Sequence, residues 1–254
     1  MNPAPTPPTP PTAQTNRPVR LAQDRGSTKI GWLDSRHSFS FGNYYDPQRV
    51  GFHGLRVIND DRVAPGMGFD THPHRDMEIL TWVLDGELAH RDSMGHQSTL
   101  GPGGLQLMSA GTGIHHSEFN ARRDAPAHFL QVWIQPRNAG TTPRYAEARP
   151  DPSLRDGRLI PVVTPDGSDG TLQIGADVRV LLGDFTADQD TRFQPTPGRA
   201  VYLHVATGRI RVDKQTLSAG DAITLEDIDA DTPPLAIHGE GSEPAQLLLF
   251  DLPG

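Results

Sequence analysis

From Val19 onward the apolar positions fall in short runs broken by Gly, Pro and Asp. The runs include Leu55–Ile58, Glu78–Leu84, Leu105–Met108 and His128–Ile134, then Val178–Leu182, Ala200–Val205, Asp221–Leu225 and Gln246–Phe250. No stretch sustains apolar residues at helical spacing, so the pattern predicts an all-β class. A weak internal repeat divides these strands into two sets. Val83-Leu-Asp-Gly86 leads through a polar turn to Leu100-Gly-Pro-Gly103, and Val205-Ala-Thr-Gly208 leads in the same way to Leu217-Ser-Ala-Gly220. Strand, glycine turn, strand, glycine-containing turn, strand, given twice, predicts two related antiparallel β-barrels. Residues 136–152 hold no convincing strand, which places the junction there, with an N-terminal domain at 18–143 and a C-terminal domain at 144–254. Residues 1–17 are nearly all Pro, Thr, Ala, Asn and Gln, a composition expected to form a disordered or polyproline-like tail.

Composition narrows the function classes. The chain has 254 residues, 35 % of them hydrophobic, and a formal charge of −8, which disfavours direct nucleic-acid binding. No apolar run approaches the ~20 residues of a membrane helix, and the N-terminus lacks the basic start and apolar stretch of a secretory signal. A cytoplasmic location is therefore expected. With no cysteine present, disulfides, thiolate metal sites and cysteine nucleophiles are excluded. Any metal must be held by His, Asp or Glu.

Six of the eleven histidines lie between positions 72 and 116. Side chains at i and i+2 of an extended segment share a face, so His72 and His74 can converge on one ion. The frame Gly66-x5-His72-x-His74-x3-Glu78, closing at Gly86, resembles the first cupin motif. The segment Gly113-Ile-His115-His116-Ser-Glu118 resembles the second. His116 and Glu118 share parity while His115 points away, so His116 and Glu118 are the expected inward pair. Glu78 competes for the carboxylate role, but the position seven before Gly86 is Ile79, so Glu78 is displaced by one and expected on the other face of its strand. Three imidazoles and one carboxylate suit Fe(II), Mn(II), Ni(II), Cu(II) or Zn(II). A closed structural zinc site is the bland alternative. The isolated histidines 37, 53, 90, 96, 128, 204 and 238 read as surface or hydrogen-bonded core residues.

The stretches Gly31-Trp-Leu-Asp-Ser-Arg-His37-Ser-Phe-Ser-Phe41, Leu55-Arg-Val-Ile-Asn-Asp-Asp61, Thr71-His-Pro-His-Arg-Asp-Met-Glu78 and Met108-Ser-Ala-Gly-Thr-Gly-Ile-His-His-Ser-Glu118 resemble the pirin family, especially its bacterial, quercetinase-type branch. The resemblance is dense from about Ile30 to Ile134 and thin beyond it. It implies a bicupin, two jelly-roll barrels of which the first carries one metal ion, usually iron as Fe2+, on His72, His74, His116 and Glu118. Aligning Gly208 with Gly86 puts Gln194 and Thr196, and then Pro233 and Leu235, where ligands would stand in the second barrel, which is read as a degenerate scaffold.

The same resemblance implies quercetin (flavonol) 2,3-dioxygenation: O2 opens the flavonol ring, carbon monoxide leaves and a depside remains. Glu118 is the candidate catalytic base for the 3-hydroxyl proton. Trp32, Phe39, Phe41, Tyr44, Tyr45 and Phe52 are candidate walls for an aromatic substrate. The competing class is a non-catalytic, metal-dependent regulatory protein that acts as a transcriptional co-regulator or binds a metabolic enzyme. The ligand set is the same in both.

Overall fold

The apolar runs become strands because their alternating side chains can fill two surfaces at once, a barrel interior on one face and a neighbouring sheet on the other. The computed structural model describes residues 17–254. Its first half holds β1 (Val19–Arg20), β2 (Gly26–Ile30), β3 (Leu33–His37), β4 (Leu55–Val63), β5 (Gly68–His74), β6 (Glu78–Asp85), β7 (Leu88–Asp92), β8 (Gln97–Leu100), β9 (Leu105–Ser109), β10 (Ile114–Asn120), β11 (Ala127–Ile134) and β12 (Arg144–Ala148). After a one-turn helix, α1 (Pro152–Arg155), come β13 (Ile160–Thr164), β14 (Leu172–Gln173), β15 (Arg179–Phe185), β16 (Asp190–Phe193), β17 (Arg199–Thr207), β18 (Arg209–Val212), β19 (Gln215–Ser218), β20 (Ala222–Leu225), β21 (Leu235–Glu240) and β22 (Ala245–Pro253). The fold is all-β, and no helix among the described residues is long and apolar enough to cross a membrane.

Each barrel pairs a seven-stranded sheet with a four-stranded one. The first is β12-β9-β6-β11-β4-β3-β2 facing β5-β10-β7-β8; the second is β1-β20-β17-β22-β15-β13-β14 facing β16-β21-β18-β19. The internal repeat is visible atom by atom. Gly86 and Gly208 both have positive φ, 76° and 71°. A Cβ on Gly86 would lie 2.7 Å from the Pro126 carbonyl oxygen, and one on Gly208 2.8 Å from that of Pro244. The second pair of glycines matches too: Gly103 N donates to Val83 O and Gly220 N to Val205 O, each at 2.8 Å.

The two large sheets share one apolar cluster, in which Leu80, Trp82, Leu107 and Leu130 of the first meet Leu182, Tyr202, Leu248 and Phe250 of the second. Inside the first barrel, two apolar clusters are separate: one around Leu33, Val63, Val83 and Phe129, the other around Ile79, Met108, Ala110 and Ile114. Buried polar residues occupy the same inward parity, among them Asn59, Asp61, Thr81, Gln106 and Gln131. The second barrel is filled by aliphatics such as Val201, Leu203, Ile210, Leu217, Ile237 and Leu247.

Strand pairing crosses the junction read from the sequence. The segment 136–152 contains β12, which pairs with β9 at the edge of the first large sheet. Its sequence Arg-Tyr-Ala-Glu-Ala carries no apolar alternation and every position stays exposed or half-buried, so no hydrophobic pattern announces it. In the other direction β1 pairs with β20 of the second large sheet. The expected tail lies at positions outside the described residues except for its last residue. That residue, Arg17, is buried against the second barrel, with Nε 2.9 Å from Asp213 Oδ2.

Candidate metal centre

His72 and His74 project from β5, an edge strand of the smaller sheet, where Pro73 between them removes no hydrogen bond that a central strand would need. His72 stands directly opposite His116 of β10, and Ile114 opposite His74. The register shifts between His116 and Glu118, so that Glu118 faces Phe69. Such a bulge redirects side chains beside it. Ring centroids lie 4.8 Å apart for His72 and His74, 4.4 Å for His72 and His116, and 4.9 Å for His74 and His116. One nitrogen from each of the three falls within 4.8 Å of the others.

These imidazoles are prepared to donate lone pairs. Burial, then the neighbouring His116 and His72, bring His74 down to about 3; burial, then His72, bring His116 down to about 3 as well. Both are neutral at ordinary pH, the form a metal requires. His72 Nδ1 lies 2.7 Å from the Asp70 carbonyl, which assigns the proton to Nδ1 and frees Nε2. His116 is 1 % exposed and neither of its ring nitrogens has a hydrogen-bond partner. Leaving such a group unpartnered is costly, and an ion among the three rings would partner it. The donor set therefore fits a divalent metal ion.

Glu118 is inward and 1 % exposed, as parity predicts. Its carboxylate is grouped within 4.8 Å of His116 and His90, and not with His72 and His74. Both its oxygens are occupied by amides: Gln106 Nε2 donates to Oε1 at 2.7 Å and Gln131 Nε2 to Oε2 at 2.6 Å. Burial pushes the Glu118 carboxyl up, opposed by His90, His72 and these amides. Sequence reasoning passed over His90. Its ring is buried, Nδ1 has no partner, and it sits opposite Glu118 in the β7–β10 register. Its relation to Glu118 exists only across that strand pair. The glutamines did leave a trace, a lone amide within the apolar runs Leu105-Gln-Leu-Met and Phe129-Leu-Gln-Val.

The remaining candidates separate clearly. Glu78 lies on the opposite face of β6, where Ser109 Oγ donates to it at 2.7 Å. His115 is exposed. His37 is a buried structural residue, 2.7 Å from Asn59 Oδ1 and 2.8 Å from Thr28 Oγ1. Phe39 and Phe52 do not wall the site: both pack on Tyr202 of the second barrel, with centroids 5.7 Å apart. Tyr45 is 75 % exposed. Phe41 meets Trp133 edge-on at 5.5 Å, and Trp133 meets His74 at 4.9 Å. In the second barrel the strand register puts Leu235 and Ile237 at the places of His116 and Glu118, and Phe193 opposite Leu235 at the place of His72. These are one or two positions from the residues that glycine alignment gives, and all three are apolar.

Comparison with known proteins agrees with this architecture. The family model described as Pirin matches residues 19–134, and that described as Quercetinase C-terminal cupin domain matches 161–252. A protein of Escherichia coli (strain K12) named quercetin 2,3-dioxygenase is 42 % identical over 235 residues, covering 92 % of this chain and 98 % of that protein. A Pseudomonas aeruginosa protein named putative quercetin 2,3-dioxygenase is 43 % identical over 80 % of this chain and 87 % of its own length. The crystal structure of the bacterial pirin YhhW of E. coli in complex with nickel(II) superposes with a TM-score of 0.85 at 40 % identity, covering 92 % of this chain and 98 % of that one. On two matching domains and a relative aligned over nearly its whole length, the chain belongs to the pirin family.

Proposed function

We propose that this protein is a metal-dependent quercetin-type 2,3-dioxygenase that holds one divalent ion, Fe2+, through His72, His74, His116 and Glu118. The observation that carries the reading is the cluster of three imidazoles, one of them buried with both nitrogens free, at the edge of the smaller sheet beside a buried carboxylate. Relatives named for this activity, at 42 % identity, supply the substrate class: a flavonol together with O2.

When bound by His72, His74, His116 and Glu118, the ion would supply Lewis acidity toward the flavonol 3-oxygen. The chain does the rest. His72, its Nδ1 proton held by the Asp70 carbonyl, presents Nε2 in one orientation. Trp133 packs edge-on against His74, with Phe41 behind it, which keeps that ring in place and water away from its flank. Glu118 is the base for the 3-hydroxyl proton. Its burial raises its basicity, and a carboxylate base typically contributes ~10²–10⁴-fold. The ring then opens with loss of carbon monoxide, leaving a depside. The aliphatic interior of the second barrel makes that half a scaffold, and the domains divide at 18–143 and 144–254 apart from the exchanged edge strands β1 and β12.

The test is metal analysis of the purified protein followed by oxygen uptake and carbon monoxide release with quercetin. Stoichiometric uptake by the iron-loaded protein, abolished by Glu118→Gln, is expected. Metal-loaded protein that consumes no oxygen with any flavonol, or a Glu118→Gln variant as fast as wild type, overturns the assignment.

A further inference from the structure

The buried carboxylate of Glu118 is held at both of its oxygens. Two side-chain amides reach it from different strands, Gln106 from β9 and Gln131 from β11, one on each oxygen. Both distances are those of charge-assisted hydrogen bonds. A Gln side chain could equally present its carbonyl, which would repel the carboxylate, so something must decide which end faces inward.

For each glutamine, a further side chain makes that decision. Trp133 Nε1, which can only donate, reaches Gln131 Oε1 at 3.1 Å and thereby turns the Gln131 amino group toward Glu118. Gln106 Oε1 lies 3.1 Å from the Tyr145 hydroxyl. Its Nε2 divides two hydrogens between Glu118 and Thr81 Oγ1, the latter at 3.3 Å. The single Tyr145 hydrogen is shared between Gln106 and the exposed Glu147, 2.6 Å away, while Ser98 Oγ lies 2.9 Å off and can donate to the phenol oxygen. Trp133 is thus the stronger orienter and Tyr145 the weaker.

These aromatics also bear on the imidazoles. Trp133 is edge-on to His74 at 4.9 Å, and Tyr145 stacks on His90 at 4.5 Å and 16°. Tyr145 comes from β12, the edge strand contributed by the connection between the barrels, so the first barrel's site is completed from that connection.

We infer that Gln106 and Gln131, oriented by Tyr145 and Trp133, are positioning residues that clamp both oxygens of Glu118 and set its strength as a metal donor. The clamp compensates the burial of the anion. It uses two of the roughly four lone-pair sites of a carboxylate and leaves the others for the ion. Rotation of Glu118 away from His116 requires breaking its hydrogen bonds from the two side-chain amides. This inference rests on the reading of Glu118 as a ligand.

The experiment is a competition titration of the full chain with nickel(II), an air-stable probe, with apo-protein melting followed in parallel. Gln106→Leu and Gln131→Leu are each expected to weaken nickel affinity by roughly 10–100-fold, the usual effect of removing a ligand's hydrogen-bond partner. Trp133→Phe keeps a ring against His74 but loses the N–H, and Tyr145→Phe loses one hydroxyl. Both should fold even where a Leu variant does not, with smaller losses that are greater for Trp133→Phe. In a Glu118→Gln background none of the four substitutions should weaken binding further. A role confined to general packing predicts the opposite, losses that persist in that background. Wild-type affinity in the Trp133 and Tyr145 variants together with folded Leu variants, or persistence of the losses beside Glu118→Gln, overturns the clamp. If Glu118→Gln alone binds nickel like wild type, the ligand reading itself is wrong and the inference falls with it.

Discussion

His72 and His116 are direct cross-strand partners, yet one is half-buried at the sheet edge and the other is 1 % exposed. The difference follows from strand order: β5 is the edge strand, whereas β10 lies between β5 and β7, so that the His116 ring neighbours both His72 and His90, at 4.4 Å and 5.3 Å. His116 belongs to both groups of candidate donors.

That shared position makes His116→Ala the most damaging single substitution for metal binding. It should lower affinity by more than His72→Ala, and by more than the ~10–100-fold expected of residues behind the ligands. The fold should not suffer in proportion. No protein hydrogen bond is lost, because neither ring nitrogen has a partner, and an unpartnered buried polar ring is itself unfavourable. Melting of apo His116→Ala at or above the wild-type temperature, with nickel binding lost, is the expected pair of results. Equal losses of affinity for His72→Ala and His116→Ala would show that depth does not matter.

Much of this was legible in the sequence, and the exceptions have physical causes. The long strands β4, β6, β11, β17 and β22 announce themselves because both faces are largely buried and each carries a short apolar run. Parity alone puts His116 and Glu118 on one side and Glu78 on the other. Parity says nothing about reach, however: strand pairing sets Glu118 opposite His90, and two amides hold both of its oxygens there. β12 is invisible because a largely exposed edge strand needs no apolar alternation. His90 looks isolated because its partner Glu118 is brought to it by strand pairing, and strand register is not written in any local pattern.

Adjacent aspartates on β4 should make opposite contributions to stability with pH. Asp60 faces outward and is buried. Burial alone would raise its pKa, but the hydrogen bond from His128 at 2.8 Å, with Arg25 and Arg62 nearby, holds it well below the usual carboxylate range. Its folded value is depressed, so its stabilisation is present above the unfolded value of 3.8 and disappears as pH falls below it toward the folded value. Asp61 faces the barrel interior, where burial, opposed by Ser35 and helped by Asp60 and Glu118, pushes it up to about 7. Here the unfolded chain ionises first, so stability falls as pH rises from 3.8 to about 7, at no more than about 1.4 kcal/mol per pH unit. Urea unfolding of apo Asp61→Asn should therefore show a gain over wild type at pH 8 that shrinks at pH 4. Asp60→Asn should show a loss at pH 7 that shrinks at pH 3. Gains and losses independent of pH would contradict both assignments.

The two glycines of the repeat give a test of how closely the barrels share one construction. Gly86 and Gly208 each sit at positive φ with the start of the next Pro-Ala pair pressed against the position a Cβ would take: Ala127 Cα is 2.8 Å away in the first barrel and Ala245 Cα 2.6 Å in the second. An alanine at either place meets backbone on both counts, because a non-glycine residue in that region costs of order 1–3 kcal/mol before any contact is considered. Gly95 has positive φ as well, 94°, but open space around it. Chemical denaturation should accordingly rank Gly86→Ala and Gly208→Ala together as severe, and Gly95→Ala as mild by comparison, near the strain cost alone. Gly86→Ala should also weaken nickel binding, since Gly86 joins β6 to β7 and β7 carries His90 opposite Glu118, whereas Gly208→Ala, acting on the aliphatic barrel, should leave nickel affinity intact at temperatures where that variant is folded. Equal effects of the two substitutions on nickel affinity would mean that the second barrel does more for the metal centre than support it.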